Sequence, residues 1–213
     1  MNLTVSETFF SIQGESSHAG RPCTFVRLAG CNLDCSYCDT RYARSGGRQQ
    51  DIDDIAAWVL DQPTDLVTIT GGEPLLQTHT NHLVRLLLDQ GKTVLVETNG
   101  SIDIRAVDAR AHCIMDLKCP DSDMADHNDM ANIDRLRPHD EVKFVIASRQ
   151  DFDWAVDVIR SHRLNERVEV LMSAATPRLT PTALADWILQ SGLAVRLQLQ
   201  IHKILWPENE RGR

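Results

Sequence analysis

The chain has 213 residues, 42% apolar and 24% charged, an ordinary balance for a soluble globular protein with enough length for one full core. Its net charge is −8 and its Lys and Arg residues are dispersed, which argues against a nucleic-acid backbone as ligand and favours a small molecule. Residues 1–7 lack the basic and apolar segments of a secretory signal, and the apolar runs are too short to span a bilayer, so the six cysteines read as reduced thiols and metal ligands of a cytoplasmic protein.

In chain order, β-branched runs predict strands over 24–29, 66–70, 93–97, 113–117, 141–146, 168–172 and 195–201. Amphipathic stretches predict helices over 51–60, 75–90, 151–163 and 181–190. Asp51 and Thr180 are suited to cap helix starts, with Pro181 in the first helical position, and Gly91 and Gly192 stand where helices should stop. Strands alternating with helices imply a single α/β domain over 1–213, with a parallel sheet covered by helices. An open sheet and a full or partial barrel both satisfy the crossover rule, and both place ligands at the carboxyl ends of the strands. The polar and glycine signals gather at those ends. The tail Arg211-Gly212-Arg213 reads as a solvated, mobile end.

The first such end runs into Cys31-Asn32-Leu33-Asp34-Cys35-Ser36-Tyr37-Cys38. Four thiolates would saturate a cubane iron–sulfur cluster, whereas three leave one iron open. A half zinc site is the bland alternative, but Cys23, Cys113 and Cys119 are scattered singly and form no second hook. The next ends carry Thr70-Gly71-Gly72-Glu73-Pro74, Glu97-Thr98-Asn99-Gly100, Asp116-Leu117-Lys118, Ser173 and His202-Lys203. Two glycines admit close backbone approach, and Glu73 suits an ammonium. Read blandly, these are a tight turn, an Asn-Gly turn, a rim salt bridge and a loop serine. His79, His82, His127, His139 and His162 show no ligand spacing.

The cysteine run resembles the CxxxCxΦC signature of radical S-adenosylmethionine (SAM) enzymes, and Gly71-Gly72-Glu73 resembles their GGE motif. Phe9-Phe10-Ser11-Ile12-Gln13-Gly14-Glu15 and 20–28 resemble the start of the 7-carboxy-7-deazaguanine synthases. The likeness continues through 29–33, 38–40, 70–74, 114–120, 140–146 and 197–203, nearly the whole chain; Ser16 departs from the more usual glycine. The family implies a partial (βα) barrel, with an N-terminal substrate loop over about 9–22 and a C-terminal tail over 203–213.

It also implies a 4Fe–4S cluster on Cys31, Cys35 and Cys38, and SAM held by Ser36, Tyr37, Asp39, Gly72, Glu73, Thr98, Asn99, Asp116, Lys118 and Ser173. Substrate would meet Ile12, Gln13, Gly14, Glu15, Arg27, Thr70 and His202, with Arg27 forked onto its carboxylate. Thr40, which sequence alone would read as a helix cap, is implied as the ligand of a magnesium ion completed by substrate oxygens and water. The implied reaction turns 6-carboxy-5,6,7,8-tetrahydropterin into 7-carboxy-7-deazaguanine with loss of ammonia. A low-potential donor such as flavodoxin or ferredoxin would reduce the cluster, a 5′-deoxyadenosyl radical would abstract hydrogen from the pterin and return it, and the enzyme would be a homodimer. An activating protein for a glycyl-radical enzyme, or a non-catalytic iron–sulfur or zinc protein, are the alternatives.

Overall fold

A computed structural model of the protein describes residues 1–206 and 211–212. One nine-stranded sheet forms its centre, in the spatial order β3-β1-β2-β4-β5-β6-β7-β8-β9. The strands are β1 (Asn2–Ile12), β2 (Pro22–Leu28), β3 (Arg48–Asp51), β4 (Leu66–Gly71), β5 (Thr93–Thr98), β6 (His112–Leu117), β7 (Glu141–Ile146), β8 (Glu169–Ala174) and β9 (Arg196–Gln198). From β2 to β9 every neighbour is parallel, while β1 pairs antiparallel with β2 and β3. The edges β3 and β9 do not meet, so the barrel is partial.

Alternation along each strand sorts the two faces. Val26, Leu28, Val67, Ile69, Val94, Val96, Met115 and Phe144 point to the helix side and join the main core. That side is covered by α1 (Ile52–Leu60), α2 (Thr80–Asp89), α4 (Arg149–His162) and α5 (Pro181–Ser191), with the short α3 (Asn132–Arg135) between them, while α6 (Ile201–Leu205) lies at the cleft. On the inner face a smaller cluster of Phe9, Cys23, Phe25, Leu66, Leu95 and Ile114 closes the lower barrel. Above it, the same alternation delivers Arg27, Thr70, Glu97, Asp116 and Lys143 to the carboxyl end. The helix starts behave as their sequence implies: Asp51 accepts from Asp53 N, Thr180 from Ala183 N, and Gly192 ends α5 at φ +64°.

Several boundaries differ from the sequence expectation. β1 and β3 were not expected, although residues 2–5 alternate exposed and buried as a strand should. The helix expected over 75–90 begins at Thr80, because Pro74–Leu76 form a separate turn and Thr80 Oγ1 donates back to Pro74 O at 2.6 Å. The last strand stops at Gln198 instead of continuing to 201: Ile201 N donates to Gly14 O at 3.0 Å, bending the chain into α6 beneath the N-terminal loop. The substrate loop shrinks to 13–21, its flanks being strand. Arg211 is not a free end, since its Cζ lies 4.4 Å from the Tyr42 ring centroid; Arg213 and residues 207–210 of the tail lie outside the described residues.

The turn that follows β5 is held by Asn132, which is fully buried. Its Nδ2 donates to Gly100 O at 3.0 Å and Ile102 O at 2.8 Å, and its Oδ1 accepts from Ile104 N at 3.1 Å. Asn132→Ala leaves buried backbone groups unpaired, at about 1–3 kcal/mol for each one, whereas losing the Thr180 cap costs about 1 kcal/mol. Urea unfolding should give a clearly lower midpoint for Asn132→Ala than for Thr180→Ala; equal midpoints would contradict the asserted role of Asn132.

Candidate active site

The loop after β2 carries the three cysteines around one cavity at the carboxyl end of the sheet. Gly30 N donates to Ala43 O at 2.8 Å, which pins the base of that loop. Cys31, Cys35 and Cys38 all line the cavity, as do Tyr37, Asp39 and Thr40. Cys23 and Cys113, in the sheet, and Cys119, just past the end of β6, are fully buried and line none of it. Burial raises the Cys35 thiol, with Lys118 pulling the other way. Two donors point at Cys31 Sγ: Leu33 N at 3.5 Å and Asn99 Nδ2 at 3.9 Å, the kind of contact that tunes a thiolate ligand.

Three soft donors on one loop, with backbone and amide N–H groups nearby, fit an iron–sulfur cluster. Among the described residues no three His, Cys, Asp or Glu side chains converge on a point where one metal ion could sit. A cubane asks for a wider set, each thiolate bonding its own iron.

The turn after β4 closes on this loop. Glu73 N donates to Gly30 O at 2.8 Å, and a Cβ on Gly72 would stand 2.2 Å from Gly30 O and 2.7 Å from Cys31 Cβ. Only glycine lets the two backbones meet. Thr98 and Asn99 line the same cavity from β5; Asn99 is fixed by Asn32 Oδ1 at 3.1 Å and accepts from Ser101. Asp116 and Lys118 both reach it from β6, paired at 3.0 Å. Asp116 lines the cavity, and its Oδ1 is buried with no hydrogen-bond partner among the described residues, an unused acceptor.

A second lobe opens beside the first, lined by Ile12, Gln13, Gly14, Glu15, Arg27 and His202. Asp39, Thr40, Thr70, Glu97 and Gln200 line both lobes, so the two are one cleft. Gly14 is packed against His202, whose Nδ1 would lie 2.2 Å from any Cβ there. Glu15 receives Lys143 Nζ at 2.8 Å and Gln200 Nε2 at 2.7 Å. Burial alone would raise its carboxyl, but the Lys143 charge and these bonds outweigh it and hold it at about 2, so Glu15 is ionised. Glu97 has no such cation in contact among the described residues; burial raises it against the pull of the Lys143 charge, and Thr70 Oγ1 donates to it at 2.8 Å. Burial lowers His202, leaving a neutral imidazole near neutral pH. Asp39 pairs with Lys203 at 2.7 Å, and Thr40 Oγ1 donates to Asp39 at 2.9 Å rather than capping the turn that follows.

Three of the expected SAM contacts do not line the thiol-lined lobe. The Glu73 carboxylate does not line the cavity: Leu75 N, Thr98 Oγ1 and Asn99 N donate to it at 2.6–2.9 Å, and Gly71 and Gly72 line the cavity instead. Ser36 turns away, donating to Asp121 O at 2.6 Å and accepting from Arg178 at 3.0 Å. Ser173 faces a recess with Gln198 and Leu199 that shares Thr176, Gln200 and Lys203 with the thiol-lined lobe, which Ala175 and Thr176 reach directly. Arg27 is paired: Glu7, opposite it on β1, accepts its Nε at 2.8 Å.

The terminal nitrogens of Arg27 make no hydrogen bond among the described residues; its guanidinium lies over the Phe9 and Tyr42 rings at 5.8 and 6.0 Å, and the side chain still lines the second lobe. Gln13 is similar: its amide is engaged by Thr68 at 2.9 Å and by Glu15 N at 3.1 Å, so it shapes the loop that presents Glu15. Sequence reasoning assigned no role to Lys143, Gln200, Lys203, Thr176 or Glu97. A charged residue inside the strand pattern 141–146 was the available signal for Lys143.

Against known proteins, the Radical SAM superfamily matches residues 26–174. The chain is 44% identical to the 7-carboxy-7-deazaguanine synthase of Chlorobaculum tepidum, over 99% of this chain and 97% of that protein. This chain belongs to the 7-carboxy-7-deazaguanine synthase family. The synthase of Koribacter versatilis is 40% identical over 99% of this chain and all of that one. Among solved structures, QueE from Escherichia coli superposes with a TM-score of 0.77 at 19% identity, covering 93% of this chain and 95% of that one, a likeness of fold. As a radical SAM enzyme of this family, the protein takes a 4Fe–4S cluster and SAM. No helix among the described residues is long and apolar enough to cross a membrane.

The cysteine assignment gives a direct test. Replacing Cys31, Cys35 or Cys38 with Ala should abolish iron loading and SAM cleavage, while Ala at Cys23, Cys113 or Cys119 should keep the brown chromophore. A Cys113 or Cys119 variant that folds yet loses its cluster would sink the assignment.

Proposed function

We propose that this protein converts 6-carboxy-5,6,7,8-tetrahydropterin to 7-carboxy-7-deazaguanine with loss of ammonia, a step of 7-deazapurine (queuosine) biosynthesis. The observation that carries the reading is the single cleft with a thiol-lined lobe and, joined to it, a lobe bearing an ionised Glu15 and an available Arg27 face. Substrate and products differ by no net electrons, since the pterin has the atoms of the deazaguanine plus ammonia. SAM can therefore be regenerated.

The reduced cluster, when bound, supplies the electron that cleaves SAM and so starts hydrogen abstraction. The residues of the chain bind, orient and exclude water. Gly72, Thr98, Asn99, Asp116 and Lys118 surround SAM beside Tyr37, with Asp116 Oδ1 as an acceptor for ribose hydroxyls. Glu15 accepts from the pyrimidine edge of the pterin, Arg27 binds its carboxylate, and Thr70, Ile12, Gly14 and His202 wall the ring. Thr40, beside Asp39 at the junction of the lobes, would hold a magnesium ion that helps neutralise the bound substrate. We further infer one functional domain, a homodimer, a cytoplasmic setting and a flavodoxin- or ferredoxin-like reductant. An activating protein for a glycyl-radical enzyme would need an open groove for a peptide, and here the 13–15 loop and α6 close that side.

Anaerobic reconstitution with SAM, a strong reductant and the pterin, followed by mass detection, should give the carboxydeazaguanine and ammonia. Formation of 5′-deoxyadenosine without that product would contradict the substrate. Loss of a charged hydrogen bond in a buried site costs about 1.5–3 kcal/mol, so Arg27→Ala should weaken pterin binding by roughly ten- to a hundredfold while SAM affinity stays near the parent value. Arg27→Lys should recover only part, because an ammonium cannot fork onto two oxygens. Unchanged pterin affinity in Arg27→Ala would make Arg27 purely the partner of Glu7. Thr40→Val should retain SAM binding and blunt the response of turnover to added magnesium; a parent-like response would remove Thr40 from the metal.

A further inference from the structure

Lys143 sits midway along β7, with Val142 and Phe144 turned into the main core and its own side chain turned toward the cleft. Its Nζ is 2.8 Å from Glu15 Oε2 and 3.4 Å from Asp116 Oδ2. All three side chains are largely removed from solvent, each about 15% exposed. Glu15 lines the second lobe and not the first, and Asp116 lines the first and not the second. One buried ammonium is therefore divided between two carboxylates that serve different lobes.

Each carboxylate has a further partner of its own, Gln200 on Glu15 and Lys118 on Asp116. An ammonium has three donors and can serve both at once. Without it, two desolvated carboxylates would face each other's lobes with too little positive charge, and each would turn or take up a proton. The unpartnered Asp116 Oδ1 is consistent with a carboxylate gripped through Oδ2 so that the other oxygen is presented to a ligand. The short contact to Glu15 Oε2, with Gln200 on Oε1, fixes that carboxylate in the same manner.

We propose that Lys143 is a positioning residue common to both ligand subsites, setting Glu15 for the pterin edge and Asp116 for SAM through one charge. This rests on the reading of the two lobes given under the proposed function. It makes the affinities for the two ligands depend on a side chain that contacts neither.

The test is equilibrium binding to the cluster-loaded enzyme without reductant, with SAM and 6-carboxytetrahydropterin titrated separately and iron content measured in every variant. Lys143→Met should keep its iron and weaken both ligands by about tenfold or more, as expected for losing a charge-assisted contact. Lys143→Arg, which can span both carboxylates, should restore most of each affinity. In double-mutant cycles the Lys143→Met loss should overlap with Glu15→Gln for the pterin and with Asp116→Asn for SAM, which a general loosening of the fold would not produce. Weakening of one ligand only, or additivity in both cycles, would overturn the proposal.

Should Lys143→Met lose its cluster, Glu15→Gln decides: it frees Lys143 toward Asp116 and should shift SAM affinity by about threefold or more, although Glu15 lines no part of the SAM lobe. An unchanged SAM affinity would overturn the proposal in that case. A parent enzyme that binds no pterin at all would overturn the reading of the lobes and this inference with it, whereas a parent that binds both ligands isolates the question of Lys143.

Discussion

Charge buried at the mouth of a parallel sheet is the constraint around which this structure is arranged. Glu15, Glu97 and Asp116 converge on one cleft with Lys118 and Lys143 among them, and none can rely on water for solvation. Such groups persist only when paired or hydrogen-bonded. The partners come from β4, β5, β6, β7 and the segment around α6, so the cleft is stable only when the sheet is in register and the C-terminal segment is folded back. The site and the fold are thus mutually dependent. Ile201 N on Gly14 O, and Gln200 on Glu15, tie the segment after the last strand to the first loop.

The parallel sheet makes that convergence inexpensive in sequence. A strand with a period of two offers alternate residues to the core and to the cleft, so a single polar residue on the cleft side becomes a site residue without disturbing the apolar face. Arg27 on β2, Thr70 on β4, Glu97 on β5, Asp116 on β6 and Lys143 on β7 are all placed in this way. The loops then have only to add what a strand cannot: three sulfurs on a short span, two glycines for close approach, and an ionised carboxylate folded in from the N-terminus.

Much of this was legible because it is local. Strand ends rich in glycine and polar residues marked the active rim, the cysteine spacing marked its chemistry, and Asp51 and Thr180 marked helix starts. The missed features are those fixed by distant partners. Glu73 has the composition of a ligand, yet its carboxylate is occupied by the turn it begins and by Asn99, residues brought together only by the pairing of β4 and β5. Glu7 becomes the partner of Arg27 only because β1 lies antiparallel beside β2, with a register shift between Val5 and Glu7 that re-aims the side chain. Ser173 sits at a strand end like the others, but the thiol-lined lobe is reached by Ala175 and Thr176 instead. No periodicity in the sequence distinguishes these cases.

The central claim is that the three cysteines leave one iron free, inside this cleft, for SAM. The most direct measurement is electron–nuclear double resonance on the reduced, reconstituted enzyme, with SAM labelled at its amino nitrogen. The account predicts a hyperfine coupling from the label on the cluster, present in the parent protein. A reduced cluster whose spectrum is indifferent to labelled SAM, in protein that loads iron fully on Cys31, Cys35 and Cys38, would contradict it.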